Sequence, residues 1–192
     1  MDDTRMIWLD LETTGLDPTH HIPLEIGIRI TDAEGIGSRD SKMYQSLIFE
    51  PDWYSAVTDG LEKVVKEMHT KSGLIADMVD YPIAMLTAAE VEHEVLTWLE
   101  GYLGLKAGAY PMCGSTINFD RSFLLRYMPK LHDWFHYRNV DVSTLKTVAR
   151  LVNPRVAENV PVKRELHRVL ADIEDSVNEY RYYLDNFLHV DF

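Results

Sequence analysis

Residues 6–16, MIWLDLETTGL, begin apolar and then carry two carboxylates one residue apart, Asp10 and Glu12. Side chains alternate across a β-strand, so the pattern predicts a strand that turns both carboxylates to one face. A turn at residues 15–18 leads to an apolar run over 24–30, which Asp32-Ala33-Glu34-Gly35 breaks before a third strand near 43–49. These three strands read as a meander. Helical spacing then takes over at 61–68, at 87–103 behind the capping pattern Thr87-Ala88-Ala89-Glu90, and at 119–127. Residues 110–113 and 139–142 read as short strands between helices. The stretch 165–188 predicts a long helix with Val169, Leu170, Ile173, Val177, Tyr180 and Leu184 along one side. Strands first, then helices alternating with strands, predict an α/β fold with a mixed central sheet flanked by helices.

The chain has 192 residues, which suits one domain with a core of its own, and no repeat or Gly/Pro/Ser-rich linker divides it. Its one cysteine, Cys113, excludes an intrachain disulfide and a cysteine-based zinc site, and is expected as a buried strand residue. No apolar run approaches the roughly 20 residues that span a bilayer. The first strand starts too early for a signal or transit peptide, so a cytosolic protein without membrane association is expected. A net charge of -12 argues against tight non-specific binding of long nucleic acid. It limits substrate length more than substrate type, because bound cations and a few Arg or Lys make a site locally positive on an acidic protein.

Asp10 and Glu12 repel one another unless a cation lies between them. Oxygen ligands at that density suit Mg²⁺ or Mn²⁺, and paired ions of this kind stabilise in-line displacement at phosphorus. The dipeptide alone is weak evidence, since acidic pairs also decorate solvated strand edges. Asp120 is expected at a helix start, where the helix dipole favours an anion; taken alone it reads as an N-terminal cap. Asp172 lies five residues after His167. Five helical steps rotate by about 140°, so one helical face cannot present both, and His167 is expected in the first turn or the preceding loop. A histidine near a carboxylate-bound metal suits a general base that deprotonates water, although a lone histidine is more often structural.

Asp10 and Glu12, then Asp120, then His167 and Asp172, in this order and context, resemble the histidine-bearing branch of the DEDD 3′-to-5′ exonucleases, whose fold is RNase H-like. Within it the chain is similar to the oligoribonuclease family over nearly its whole length. The carrying segments are WLDLETTGLD, HTKSGL, FDRSFLLRYMPKL, HYRNVDVSTLK and HRVLADIEDSVNEYRYY. The resemblance implies that Asp10, Glu12, Asp120 and Asp172 hold two Mg²⁺ or Mn²⁺ ions and that His167 activates water. The substrate it implies is a short single-stranded RNA oligonucleotide and the product a nucleoside 5′-monophosphate. It implies further that His69, Arg138, Ser143 and Thr144 bind the 5′-phosphate, that Leu16 faces a base, and that Tyr137 reaches in from the partner of a homodimer. Without the resemblance, Arg138 reads as a surface ion pair, Ser143 and Thr144 as helix caps, and Tyr137 as packing within its own subunit.

Three places in the chain depart from the family. Val64 stands where a Trp usually stacks on a base, a loss worth about 1–3 kcal/mol per base unless another aromatic such as Trp53 substitutes. GSTINFD replaces GNSIGQD, so Thr116 keeps a hydroxyl while Phe119 replaces an amide and turns its ring to core or to substrate. Ala171 replaces an acid before Asp172. The expected function is a metal-dependent 3′-to-5′ exoribonuclease acting on short oligoribonucleotides. The alternatives are a broader single-strand DNA/RNA exonuclease and a catalytically inactive nucleotide-binding module, which the full set of ligands plus His167 disfavours.

Overall fold

A computed structural model describes residues 5–37, 42–164 and 166–188. Three antiparallel-linked strands come first, β1 (Met6–Thr13), β2 (Pro23–Thr31) and β3 (Met43–Phe49), followed by helices α1 (Trp53–Thr58), α2 (Lys63–Lys71) and α3 (Leu74–Asp80). The two-residue β4 (Leu86–Thr87) then leads into α4 (Ala88–Leu103), β5 (Pro111–Gly114), α5 (Asn118–Tyr127) and α6 (Pro129–Trp134). The last elements are β6 (His136–Asp141), α7 (Val142–Val152), α8 (Pro154–Glu158) and α9 (Val169–Tyr183), the last running into a π turn at Leu184–Leu188. Among the described residues the sheet has the order β4-β3-β2-β1-β5-β6, with β5 and β6 parallel to β1. The mixed α/β architecture is the one the sequence pattern predicts.

β1 has β2 and β5 on its two edges and helices on both of its faces, which is why its first half is almost wholly apolar. Ile7, Leu9 and Leu11 join the core under α4, α5 and α6, while Met6 and Trp8 join Cys113, Val142, Ile173 and Val177 under α7 and α9. Strand alternation therefore sends Asp10 and Glu12 to the α9 side. The register places Gly27 beside Asp10 and Glu25 beside Glu12. A Cβ on Gly27 would lie 2.7 Å from the Cβ of Val169, so glycine there lets the first turn of α9 rest directly on the sheet. Burying Ile173 and Val177 holds it down, each contributing about 1.5–3 kcal/mol. Asp172 is in that first turn and is thus carried over the β1 carboxylates.

Two predicted elements shift. The strand expected at 139–142 is β6 at His136–Asp141, an edge strand paired only with β5, whose partly solvated faces leave little apolar pattern to read. The final helix begins at Val169 rather than at 165, because His167 has φ +51°, the left-handed region that interrupts a helix. The capping box at Thr87 and Glu90 forms as predicted, and Cys113 is wholly buried in β5. Among the described residues no helix is long and apolar enough to cross a membrane.

Candidate active site

Asp10, Glu12 and Asp172 each offer a carboxylate oxygen within 4.8 Å of the other two. Asp120, in the first turn of α5, joins them from the side: its Oδ1 accepts the Leu11 N–H at 2.9 Å, which ties the start of α5 to β1. Burial dominates the electrostatics of the cluster. It lifts Asp10 well above the usual carboxylate range, with Asp120, Glu12 and Asp172 adding to it and Lys163 opposing. Glu12 is pushed up to about 8 by burial, then by the charges of Asp172 and Glu25, and by a hydrogen bond to Asp172. Burial also takes Asp120 to about 8 against the Leu11 hydrogen bond, and raises Asp172 against the nearby His167. Four acids crowded this way cannot all ionise unaided. A proton shared between Glu12 and Asp172 relieves part of the repulsion, and a hard divalent cation would relieve more. The donor set is all oxygen, which fits Mg²⁺ or Mn²⁺ rather than a soft metal.

His167 lines a cavity of about 230 Å³ together with Asp10, Asp172, Ser115, Ser176 and Lys163. The structure therefore brings the histidine loop and the carboxylates to one volume, with Lys163 as a cation on its wall. Lys163 Nζ donates to Ser115 Oγ at 3.0 Å and pairs with the buried Glu179 at 3.2 Å, and Ser115 meets Ser176 at 2.9 Å. A nucleophilic water between His167 and the carboxylates would have a proton acceptor on one side and cation ligands on the other.

The residues expected to hold substrate fall into three groups. Thr116, itself at φ +58°, meets Ser143 through their hydroxyls at 3.0 Å, and Asp141 Oδ1 accepts both the Thr116 N–H at 3.0 Å and the Ser143 N–H at 2.9 Å. Asp141, rather than Ser143 or Thr144, is thus the cap of α7. Thr144 lines a neighbouring cavity of about 450 Å³ with Asn118, Asn139 and Asp141. Leu16 (82% exposed) and Tyr137 (74% exposed) stand out from the surface, and the Arg138 guanidinium lies 5.3 Å from the Tyr137 ring centre. His69, by contrast, is 0% exposed. Its Nε2 donates to the Thr13 carbonyl at 2.8 Å and its Nδ1 lies 3.8 Å from Glu12 Oε2 without a hydrogen bond, so it braces the end of β1 from within. Burial holds it below the usual histidine range.

Two of the departures resolve. Phe119 turns to the core, its ring 5.1 Å from that of Phe123. Trp53 is 8% exposed, packed with Leu24, Leu61 and Leu74, so it offers no stacking face in place of the missing Trp, while Val64 is 75% exposed.

The chain matches the exonuclease family model RNase_T over residues 7–180. It is 40% identical over 189 residues to an oligoribonuclease of Chromobacterium violaceum, covering 98% of both chains, and equally to one of Nitrosomonas europaea over 98% of both. The chain belongs to the oligoribonuclease family. The fold is also that of exonuclease I: the zinc-bound Escherichia coli exonuclease I–single-stranded DNA complex superposes with a TM-score of 0.67 at 13% identity, over 97% of this chain and 42% of that one. An oligoribonuclease-family chain is a nuclease of the DEDD superfamily with an RNase H-like fold. Sequence reasoning passed over three residues of this oligoribonuclease-family site. Lys163 lies in a stretch with no periodicity, so nothing marked it. Glu25 stands opposite Glu12 in the β1–β2 register, but the nine-residue connection between the strands gave the sequence no register to read. Ser176 follows Asp172 by four residues, one helical turn along α9.

Proposed function

We propose that this chain is a single exonuclease domain, residues 1–192, that removes nucleoside 5′-monophosphates from the 3′ end of short single-stranded oligoribonucleotides. It works in the cytoplasm as a homodimer with two Mg²⁺ or Mn²⁺ ions per site. The observation that carries the reading is the convergence of carboxylate oxygens of Asp10, Glu12 and Asp172 within 4.8 Å, beside a cavity that His167 lines with Asp10 and Asp172.

Asp10, Glu12, Asp120 and Asp172 hold the ions, and their raised proton affinities mean that loading displaces protons. Bound there, the ions supply positive charge to the phosphate and acidify water. His167 takes the proton of the attacking water. Lys163 keeps a positive charge on the cavity wall where the phosphate's negative charge must be accommodated. Arg138, Ser143, Thr144 and Thr116 take the 5′-phosphate of a very short chain through charge-assisted and hydroxyl hydrogen bonds, which fixes its scissile bond at the carboxylates. Leu16 packs on a base, Tyr137 of the partner subunit closes the phosphate end, and His69 contributes there if β1 yields it.

The test is purified protein with Mn²⁺ and a 5′-labelled pentaribonucleotide. The expected result is a ladder shortening one residue at a time from the 3′ end with 5′-monophosphates released, and no ladder from Asp10→Ala or His167→Ala variants that keep the wild-type circular dichroism. Wild-type rates in either variant would remove the site assignment. A second reading, a broader exonuclease for single-stranded DNA or longer RNA, is favoured by one observation: Val64 leaves the base without a stacking ring and Trp53 is buried elsewhere.

A further inference from the structure

His167 adopts φ +51°, a left-handed conformation that a side-chain-bearing residue keeps only where its surroundings impose it. The loop between α8 and α9 has no hydrophobic periodicity to impose anything. What it does have, directly after the histidine, is Arg168, which forms a fork between two elements. Its Nη2 and Nε reach Glu25 on β2 at 2.8 and 3.2 Å, and its Nη1 reaches Asp77 on α3 at 2.7 Å. Glu25 is wholly buried and firmly held, accepting in addition from Gln45 Nε2 at 2.7 Å and from the Val169 N–H at 3.3 Å. The anchor is thus fixed on three sides. Arg164 fastens the loop on the other side of the histidine, with Nε 2.7 Å from Asp175 and Nη2 3.0 Å from Glu174, both on α9 itself. Only Arg168, of these two, ties the histidine turn to elements outside α9.

We propose that Arg168, through Glu25 and Asp77, is the positioning residue that holds His167 over the carboxylate cavity. This rests on the reading of His167 as the base. Arg168 touches no reacting atom; it fixes the backbone one residue away, so that the imidazole enters the cavity that Asp10 and Asp172 share. Glu25 lies beside Glu12 in the strand register, so Arg168 has a competing role: balancing a buried anion next to a metal ligand. That role would appear as weaker metal binding, whereas positioning would appear in turnover alone.

Arg168→Gln, Arg168→Lys and Asp77→Asn are compared in the full chain with Mn²⁺ and a 5′-phosphorylated diribonucleotide. Arg168→Gln is expected to lower kcat by about 10–100-fold, as loss of an orienting partner does. Arg168→Lys regains part of it, and Asp77→Asn loses less. KM and the calorimetric Mn²⁺ affinity move by less than about threefold, since uniform binding is not what was removed. In a His167→Ala background, read at raised enzyme concentration, Arg168→Gln adds no further loss, because the two residues act as one unit. An unchanged kcat in Arg168→Gln, a kcat loss matched by a loss of Mn²⁺ affinity, or the same fold-loss in the His167→Ala background would each overturn the proposal. Asp77→Asn leaves the buried Glu25 paired, so if Arg168→Gln does not fold, an unchanged kcat in Asp77→Asn overturns it instead. Wild-type activity of His167→Ala alone would strike the base assignment itself, a result independent of what Arg168 does.

Discussion

Asp10, Glu12 and Asp120 stand on elements whose places the core dictates, whereas Leu16, Val64, Tyr137 and Arg138 stand on the surface with little to constrain them. The first group is fixed by the burial of β1 between two strands, by Gly27 under the start of α9, and by the Leu11–Asp120 hydrogen bond. The second depends on what it binds. On the proposed function the difference separates chemistry from selection: the carboxylate floor would decide that a phosphodiester can be hydrolysed, and the exposed rim would decide which one. Changes at the floor should therefore act alike on every substrate, and changes at the rim should act on short substrates first.

The largest expected effect is at the floor. Asp10→Asn removes a ligand from the cluster and should lower turnover by at least about 10³-fold on dinucleotides and longer RNA equally, since metal-borne charge stabilisation is worth several kcal/mol. Initial rates on both substrates check it, and a loss confined to one would merge the two regions. At the rim, Arg138→Ala should lower kcat/KM on 5′-phosphorylated diribonucleotides by about 10–100-fold, the worth of a charged hydrogen bond, with much smaller losses on a heptamer. Equal losses would remove its part in measuring length. Val64→Trp should restore a stacking face and tighten dinucleotide binding by about 1–3 kcal/mol, read as KM or by calorimetry with Ca²⁺ in place of Mn²⁺. No change would mean that the base does not lie near Val64.

The last effect is on stability rather than on turnover. Glu12 and Asp120, each raised to about 8, bind protons more tightly folded than unfolded. Between about pH 4.5 and 8 the unfolded chain has released those protons and the folded chain has not, so stability of the metal-free protein falls as pH rises through that window. Because Mn²⁺ replaces those protons, the rise in Tm that it produces should grow over the same window. Melting curves with EDTA and with Mn²⁺ at several pH values check the sign; a Mn²⁺-induced shift that shrinks with rising pH would contradict it.

The legibility of the molecule in its sequence divides along the same line. The meander, the α4 capping box and the apolar side of α9 were legible because burial writes periodicity into them. The four acids and His167 were legible through their order and local motifs, and His167 in a loop came from the five-residue spacing alone. The start of β6 was not, since an edge strand bearing His136, Tyr137 and Arg138 has solvent where a core would leave a pattern. The helices α1, α3, α6 and α8 were unassigned because each is short, and α7 was foreseen only as the helix that Ser143 and Thr144 would cap. His69 shows the limit at a single residue: its motif assigns it to a phosphate, while the fold buries it against Thr13 and Glu12. Trp53 and Phe119 show it again, since neither sequence position says which way a ring turns.

The most direct measurement of the claim that a common floor serves a length-selective rim is kcat/KM with Mn²⁺ on a 5′-phosphorylated diribonucleotide, a seven-residue RNA and its DNA counterpart, side by side. The account predicts that the diribonucleotide is strongly preferred over both, even with Val64 in place of a stacking ring. Comparable values on the two RNA lengths, or on DNA, would contradict it and give the chain to the broader single-strand exonucleases.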